Sequence, residues 1–470
     1  MSNAAADMNP YLKGIFAPVR EEVTADNLPV IGEIPRDLYG AYFRNGPNPM
    51  SPPKGMHHWF DGDGMVHGVW FENGSARYAN RYVRTPDFEA EIEGVDFMPG
   101  IFSQAREAPG RRTVYKDTAN TDLVFHDGRL LALWYISGQP VSVDASTLDT
   151  IGVEDFGGAL PRNVSAHSKV DPETGEFVFF DYALYEPKMW VGVASKDRKL
   201  THYQEIDLPG PRLPHDMGMT EHYVVLHDLP VVFTEAAIRN RMWQIQVADQ
   251  PTRFGVVPRM GGEPKWFEFP SCYIYHVINC WEDGDDVVMA ACKMVPNGVS
   301  PDPSAYGVYA PMVQVLALRA KPFIWRMNMR TGRGTEEQLD ERLSEFPVIN
   351  NAWAGKRSRF SYHVVMDDHA EQRYPALLKY VLSTGDAIRH EFPKGVFGSE
   401  PAFAPREGAV AEDDGYVITF VTDAATGASE ALVIDARNFS KPPLARVMLP
   451  QRVPAGFHGV WAPGGDIRTA

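Results

Sequence analysis

Short apolar runs recur along the whole chain and are rich in β-branched and aromatic side chains. They have the length of strands and are too short for buried helices, so they predict an all-β fold. Asn73-Gly74, Asp127-Gly128 and similar pairs between the runs supply the positive φ angles that tight hairpins need. The clearest runs are 130–134 (LLALW), 177–180 (FVFF), 223–226 (YVVL), 287–290 (VVMA), 417–421 (VITFV) and 432–434 (LVI).

Helical periodicity is scarce and predicts only two short helices, within residues 233–246 and 335–343. A sandwich of 470 residues would be unusually large, whereas a β-propeller takes up many strands without exposing long edges. Blades of four strands take about 40–50 residues each, so the length suits seven blades with insertions. We therefore expect one propeller domain over residues 1–470, with a short N-terminal extension of about residues 1–10.

The composition narrows the class of function. Hydrophobic residues make up 44% of the chain and charged residues 23%, as in a globular protein with a large core. The formal net charge of −16 argues against a nucleic-acid partner. Three cysteines without a CxxC pair exclude a disulfide framework and disfavour a thiolate zinc site.

Targeting signals are also missing from the pattern. The first residues do not read as a secretory signal, and no run approaches the roughly 18 apolar residues of a membrane span. We expect a cytoplasmic protein with no obligate protein partner. The GxSxG, HExxH, P-loop and GxGxxG motifs are absent, and the sequence Asp61-Gly62-Asp63-Gly64 lacks the spacing of a calcium loop and predicts a tight turn.

Four of the 14 histidines lie in unusual local contexts: His167, His215, His276 and His458. Their separations of 48, 61 and 182 residues correspond to about one, one and three blades. Histidines on inner strands would converge on the propeller axis, where four neutral imidazoles suit Fe(II) with positions left open for O₂. His222 and His227 compete with His215, and spacing alone does not separate them.

A histidine site of this kind needs acidic partners that fix the tautomer and orientation of each ring. Glu345 and Glu400 each stand close to a proline in an otherwise apolar segment. A carboxylate there is costly to bury unless it is paired. The alternative for each is an exposed loop glutamate.

With these residues in place, the chain resembles the carotenoid cleavage oxygenases, which are non-haem iron enzymes built on a seven-bladed β-propeller under a helical dome. The matching segments run nearly the full length: 33–35 (EIP), 43–49 (FRNGPNP), 60–65 (FDGDGM), 119–121 (ANT), 166–169 (AHSK), 215–216 (HD), 276–279 (HVIN), 345–347 (EFP), 399–401 (SEP) and 457–459 (FHG).

The resemblance implies roles by position. The four histidines named above are implied to bind Fe(II), and Glu345 and Glu400 to be the partners of His276 and His458. Thr121 matches a position near the open coordination site. The implied reaction is cleavage of a carbon–carbon double bond of a carotenoid or apocarotenoid with O₂, giving two carbonyl products.

The sequence departs from the family where a third glutamate usually follows a Trp, because Tyr135 stands there. We expect its hydroxyl to hydrogen-bond a histidine, His215 first, without the charge. Loss of one such partner typically costs about 10–100-fold in metal affinity or activity.

The neighbouring residue bears on the substrate. Relatives that cleave hydroxystilbenes tend to carry a lysine where this chain has Trp134, which favours an apolar polyene. Trp134 is therefore one candidate for the wall of the substrate tunnel, and the alternative is that it only fills the core. Trp59 is a second candidate for the tunnel. Two alternatives stay open: a stilbenoid or phenylpropenoid oxygenase, and a propeller that binds a ligand or metal without redox turnover.

A lipophilic substrate also predicts peripheral contact with a membrane through an apolar patch. The candidate segments are residues 229–233 and 308–316. Either would instead be an ordinary buried strand.

Overall fold

Seven antiparallel sheets form the blades of a β-propeller, as the strand pattern and the resemblance predict. The structure, a computed structural model, describes residues 9–53, 57–95, 97, 115–240, 243–294, 303–310, 319–369 and 371–468. All six apolar runs singled out in the sequence lie in or overlap strands, which confirms the all-β prediction.

The two ends of the chain interlock in the first and last blades. In the first blade, the C-terminal strand β33 (Gly459–Pro463) pairs with β3 (Gly40–Pro47), and in the seventh, the N-terminal strand β2 (Val30–Gly32) pairs with β32 (Ala445–Met448). This closes the ring by hydrogen bonds. Blade 1 contains β1 (Thr24–Ala25), β3 (Gly40–Pro47), β4 (Gly64–Glu72), β5 (Ser75–Tyr82) and β33 (Gly459–Pro463), and blade 7 contains β2 (Val30–Gly32), β28 (Val396–Gly398), β29 (Ala402–Pro405), β30 (Gly415–Asp423), β31 (Ser429–Asp435) and β32 (Ala445–Met448).

Blades 2, 3 and 4 follow blade 1 along the chain, and each has four strands. Blade 2 contains β6 (Asp122–His126), β7 (Arg129–Leu133), β8 (Val141–Asp144) and β9 (Thr150–Val153), and blade 3 contains β10 (Lys169–Val170), β11 (Phe177–Tyr182), β12 (Lys188–Ala194) and β13 (Leu200–Asp207). Blade 4 contains β14 (Gly218–Met219), β15 (Tyr223–Asp228), β18 (Thr252–Pro258) and β19 (Lys265–Phe269), with an excursion through β16 (Val231–Phe233), α2 (Glu235–Asn240) and β17 (Ile245–Val247).

Blades 5 and 6 complete the ring. Blade 5 contains β20 (Tyr273–Asp283), β21 (Asp286–Met294), β22 (Ala320–Asn328) and β23 (Gly334–Gln338), and blade 6 contains β24 (Ser344–Val348), β25 (Phe360–Val365), β26 (Ala376–Val381) and β27 (Asp386–Glu391). The strands nearest the axis are β6, β10, β14, β20, β24, β29 and β33, and residues of all seven line one axial cavity of about 400 Å³.

Local sequence explains the hairpins and the packing between blades. Asn73 and Gly74 have φ angles of 50° and 78°, the left-handed pair that a two-residue hairpin between β4 and β5 requires. Apolar side chains of adjacent blades share buried clusters: Val191 and Val193 of blade 3, for example, belong to one cluster with Val224 and Leu226 of blade 4. The large apolar fraction of the chain therefore lies between the blades.

The predicted helix at residues 335–343 is wrong, because β23 occupies its first half as the outer strand of blade 5. Its backbone is paired with β22, and most of its residues are exposed, while Glu336 is half-buried and pairs with Lys293 at 2.9 Å. Ladder hydrogen bonds override the helix propensity of Glu and Gln here. In residues 233–246 a helix does form, limited to Glu235–Asn240.

The dome expected over the metal-bearing face contains little α-helix in the described residues. The described residues contain one α-helix besides α2, namely α1 (Pro86–Ile92). Their remaining helical turns are short 3₁₀ segments: Pro10–Leu12, Gly14–Phe16, Trp59–Asp61, Pro303–Tyr309, Asn351–Trp353 and Gly464–Asp466. Among the described residues, none of the helices has the length and apolar character that crossing a membrane requires.

The predicted N-terminal extension differs at its boundary. Residues 1–8 lie outside the described residues, whereas Asn9 and Pro10 are already buried. The Asn9 amide donates to the His57 carbonyl at 2.8 Å, and Phe16 packs edge-on against Trp59 at 5.3 Å between ring centroids. The first described residues are thus part of the packed structure.

The turn at 61–64 is structural, as predicted. Asp61 accepts a hydrogen bond from the His58 backbone N–H at 3.0 Å, and Asp63 accepts one from the Met50 backbone N–H at 3.0 Å. Asp63 also forms a buried ion pair with Lys116.

Candidate metal centre

Four buried histidine rings converge at the propeller axis, and they are the four predicted from the sequence. Exposed fractions are 5% or 6% for each residue. The ring centroid of His167 lies 4.7 Å from that of His215, 5.0 Å from that of His276 and 4.5 Å from that of His458. One ring nitrogen each of His167, His276 and His458 lie within 4.8 Å of one another.

Each histidine stands at or beside the inner strand of its blade. His167 and His215 precede β10 and β14, and His458 immediately precedes β33. His276 lies inside β20, where the pairing register with β21 shifts. A bulge of this kind re-aims a side chain, so the strand turns the imidazole toward the axis.

The competing histidines lie elsewhere. The His222 side chain is 64% exposed and contacts Glu282 at 3.0 Å. His227 is buried within β15, with its ring 5.2 Å from that of Phe254. The alternative left open by sequence spacing is thus decided by the fold in favour of His215.

Two carboxylates contact two of the rings. Glu345 accepts a hydrogen bond from His276 Nδ1, and Glu400 accepts one from His458 Nδ1 at 2.9 Å. With Nδ1 protonated, the Nε2 lone pair of each ring is the free coordinating atom. Both glutamates are buried, 0% and 5% exposed, so the exposed-loop alternative is excluded.

The electrostatics favour the neutral imidazole, the form that binds metals, for three of the four histidines. For His458, burial lowers the pKa, but the charge and the hydrogen bond of Glu400 outweigh burial and raise the pKa overall. Burial holds the pKa of His167, His215 and His276 well below the usual value, and the proximity of the other rings lowers it further. Burial also raises the pKa of Glu345 to about 8. A cation between the rings would offset the cost of burying this carboxylate.

Two buried ring nitrogens of the four converging histidines have no hydrogen-bond partner among the described residues: His167 Nε2 and His276 Nε2. An unpaired buried polar atom costs about 1–3 kcal/mol, and a bound ion is one way to satisfy it. The donor set of imidazole nitrogens suits Fe, Zn, Cu and Ni rather than Mg or Ca. The residues present therefore fit a transition-metal ion.

His215 is held differently from its neighbours. Its ring nitrogens do not belong to the close group formed by His167, His276 and His458. Among the described residues, aromatic side chains contact its ring. Tyr275 packs edge-on against it at 4.7 Å, and Tyr135 lies at 6.0 Å.

The expected hydrogen bond from Tyr135 to a histidine is absent, because the Tyr135 hydroxyl has no partner among the described residues. The Tyr135 ring is turned into an aromatic contact with Phe60 at 5.1 Å. Burial raises the pKa of this hydroxyl well above its usual value, so it stays protonated.

An aromatic cage covers the histidines on one side. It encloses a cavity of about 20 Å³, room for about one water-sized molecule. Phe457 is central, with its ring 4.7 Å from Trp59 and 5.3 Å from Phe60. The cavity is lined by Trp59, Phe60, Thr121, Tyr135, His215, Tyr275, His276, Phe346, Phe457 and His458.

Thr121 and Trp59 therefore line the cavity, whereas Trp134 does not. Thr121 Oγ1 donates to Asn120 Oδ1 at 2.9 Å and accepts from the Tyr135 N–H at 3.2 Å, which fixes its position. Trp134 is 6% exposed and packs in a core cluster between blades 2 and 3. This packing agrees with the alternative of core filling, and the assignment of Trp134 to the substrate tunnel stays a prediction.

The predicted membrane patches do not form an exposed apolar surface in the described residues. Leu229 and Phe233 are buried and belong to or flank the small strand β16. Most of 308–316 lies outside the described residues.

The sequence alone assigned no role to Phe60, Tyr275, Phe346 and Phe457 of the cage or to Asp122, Lys169 and Asp216. Phe60, Phe346 and Phe457 each belong to a quoted motif, but apolar residues beside a histidine fit a core equally well. Asp216 and Lys169 follow His215 and His167 by one and two residues, a spacing that only the fold turns into contact.

The chain matches known proteins over nearly its whole length. The RPE65 family model, described as retinal pigment epithelial membrane protein, matches residues 16–463. A carotenoid 9,10(9′,10′)-cleavage dioxygenase of Crocus sativus is 36% identical over 95% of this chain and 88% of that protein.

Two solved structures are also similar over nearly the whole chain. Pseudomonas brassicacearum lignostilbene dioxygenase has a TM-score of 0.85 and 28% identity, covering 97% of this chain and 98% of that one. Cobalt-substituted Synechocystis apocarotenoid oxygenase has a TM-score of 0.82 and 26% identity, covering 95% and 97%.

Proposed function

The chain belongs to the carotenoid cleavage oxygenase family of oxidoreductases, and from this premise we propose that it cleaves a carbon–carbon double bond of a carotenoid or apocarotenoid with O₂. The proposed metal is Fe(II), held by His167, His215, His276 and His458. The observation that carries the proposal is the buried group of imidazoles with unpartnered Nε2 atoms beside an aromatic cavity.

The residues of the chain would divide the work. Bound Fe(II) supplies the binding and activation of O₂, which no side chain provides. Glu345 and Glu400 hold the protons on Nδ1 of His276 and His458, which keeps Nε2 free for the metal. Imidazoles bind a metal in their neutral form, so four of them would leave the charge of the ion uncompensated by its ligands.

The aromatic cage supports an alkene substrate. Trp59, Phe60, Phe346 and Phe457 present ring faces and edges, which bind an apolar π system without hydrogen bonds. The cavity of about 20 Å³ is smaller than a polyene segment, so side chains of the cage must move when substrate binds. Phe60 is only partly buried and has the most freedom to do so. Closure of the cage afterwards excludes water from the metal.

A hydroxystilbene is the second candidate substrate, and two observations favour it. The lignostilbene dioxygenase has a TM-score of 0.85 with this chain, and the unpartnered Tyr135 hydroxyl in the cavity wall is free to bond a phenol. Trp134 in place of a lysine still argues for an apolar substrate if it lines the tunnel, and carries no such argument if it only fills the core.

An aerobic assay of Fe(II)-loaded protein separates the two. An apocarotenal and a hydroxystilbene are supplied in parallel, and the products are identified by mass. Polyene aldehydes as products support the carotenoid or apocarotenoid proposal. Aromatic aldehydes alone would show that the substrate is a hydroxystilbene. If iron is bound and neither alkene is cleaved, both proposals are refuted for these substrate classes.

A further inference from the structure

An ion pair lies directly behind the histidines and takes no part in the proposed reaction. Lys169 Nζ donates to Asp216 Oδ1 at 2.8 Å and to the backbone carbonyl of His167 at 2.9 Å. Lys169 is on β10 in blade 3, and Asp216 precedes β14 in blade 4. The pair therefore joins two neighbouring blades at the axis.

The carboxylate of Asp216 reaches a third blade. Its Oδ2 accepts a hydrogen bond at 2.7 Å from the backbone N–H of Val277, the residue after His276. Its Oδ1 accepts one from the N–H of Met217 at 2.6 Å. Asp216 itself follows His215, so a single ion pair contacts the backbone at or beside three of the four converging histidines.

The backbone that the pair holds is strained. His167 has a φ angle of 66°, in the left-handed region that a non-glycine residue rarely adopts. Its N–H donates to Asp122 Oδ2 at 2.8 Å, while its carbonyl accepts from Lys169. The residue is thus fixed from both sides of its α-carbon, which keeps the ring aimed at the axis.

Burial makes the two partners depend on each other. The Asp216 side chain is 2% exposed and that of Lys169 is 28% exposed toward the axial cavity. Removing one partner of such a pair leaves a buried charge uncompensated. Mutation of Lys169 would therefore free the Asp216 carboxylate to move, and with it the peptide groups that it holds.

We infer that Lys169 and Asp216 are positioning residues of the metal centre, which set the placement of His167, His215 and His276 through their backbone. This inference rests on the metal site of the proposed function. Groups that orient ligands from behind typically change metal affinity by about 10–100-fold. The alternative is that the pair only holds the blades together.

Co(II) binding to metal-free protein distinguishes a positioning role from a purely structural one. Binding is followed by titration and by the visible absorption of the bound ion. The chain offers a matched control: Lys379 Nζ donates to Asp413 Oδ2 at 2.7 Å and to the Ala436 carbonyl at 2.8 Å. This pair also joins an ammonium, a carboxylate and a backbone carbonyl, but it has no hydrogen bond to a histidine in the part of the chain that the structure describes. Thermal unfolding of each variant reports its stability.

We expect Lys169→Met to raise the Kd for Co(II) at least about tenfold and to change the absorption spectrum. Lys379→Met should lower the unfolding temperature to a similar extent but leave the Kd within about twofold. Lys169→Arg, which keeps the charge and several donors, should recover most of the affinity. If Lys169→Met does not fold, Asp216→Asn carries the same expectation.

The inference is overturned if the folded Lys169→Met variant binds Co(II) with the Kd and spectrum of the unmodified protein. It is also overturned if Lys379→Met shows an equal loss, because the effect would then be one of stability alone. If the unmodified protein binds no Co(II), the proposed metal centre itself is wrong, which separates the two failures.

Discussion

Replacing Glu345 by Gln tests how a buried carboxylate supports the metal centre. Glu345 is 0% exposed, and its Oε2 accepts hydrogen bonds from His276 Nδ1 and from the N–H of Phe346, the latter at 2.6 Å. The variant keeps the volume and an acceptor oxygen but removes the negative charge. His276 then loses the charge that favours the Nδ1-protonated tautomer.

The expected loss follows from the contact. A hydrogen bond to a charged group contributes about 1.5–3 kcal/mol and a neutral one about 0.5–1.5. The difference of about 1–1.5 kcal/mol corresponds to roughly a tenfold weaker Kd. We expect a rise of that size in the Kd for Co(II), measured by titration of metal-free protein.

The stability of the metal-free protein should change in the opposite direction. Burial raises the pKa of Glu345 to about 8 from an ordinary value of 4.5. A carboxyl that binds its proton more tightly in the folded state is destabilising at a pH above its unfolded pKa, and the penalty grows until about pH 8. The Glu345→Gln variant does not titrate, so it should unfold at higher denaturant concentration at pH 8.

Glu412→Gln is the matched control. Glu412 is also largely buried and accepts hydrogen bonds from the backbone N–H groups of Arg359 and Phe360 at 2.8–2.9 Å, and among the described residues it has no hydrogen bond to a histidine. Its Kd for Co(II) should equal that of the unmodified protein. Equal affinities for the unmodified protein and for Glu345→Gln would refute the reasoning.

Other features of the molecule lead to further predictions. Tyr135→Glu should tighten Co(II) binding about tenfold by giving His215 a carboxylate, whereas Tyr135→Phe should leave it unchanged; equal effects would contradict this. Trp59→Ala should raise the KM for substrate while Trp134→Phe should change only the unfolding temperature, and the reverse would mean that the cavity is misassigned. Burial raises the pKa of Asp117 to about 7, so Asp117→Asn should flatten the loss of folding stability between about pH 4 and 7, as denaturant unfolding at each pH would show. Because Leu229 and Phe233 are buried, we expect at most weak association with neutral liposomes in flotation assays, and none at all would remove the idea of peripheral membrane contact.

The propeller could be predicted from the sequence because strands and hairpins are encoded by residues that are close together in the chain. A hairpin such as β6–β7 needs only alternating side chains and the left-handed pair Asp127-Gly128, with φ angles of 49° and 76°. The prediction of a helix at 335–343 was wrong because the local sequence there does not distinguish the two structures. Its charged residues fit a helix surface as well as an outer strand, and only pairing with β22 decides between them.

The separations of the histidines match the length of blades, which suggested that residues on inner strands meet at one axis, but spacing left His222 and His227 as competitors of His215. The full set of metal-ligand candidates was implied by the family pattern. Their partners Glu345 and Glu400 followed from the family pattern rather than from physical reasoning alone. The position of Trp134 was not predictable, since a tryptophan fits a tunnel wall and a blade interface equally well. The Lys169–Asp216 contact depends on the relative placement of three blades, which no local pattern encodes.

The most direct test of an iron-dependent oxygenase is O₂ consumption by metal-loaded protein given an alkene of the preferred class. With Fe(II) bound, we predict that O₂ uptake and loss of the double bond proceed together and that both stop when the solution is anaerobic. With Zn(II) in the same site, which binds imidazole but does no redox chemistry, neither should occur. Cleavage that continues without O₂, or at an equal rate with Zn(II), would contradict the assignment.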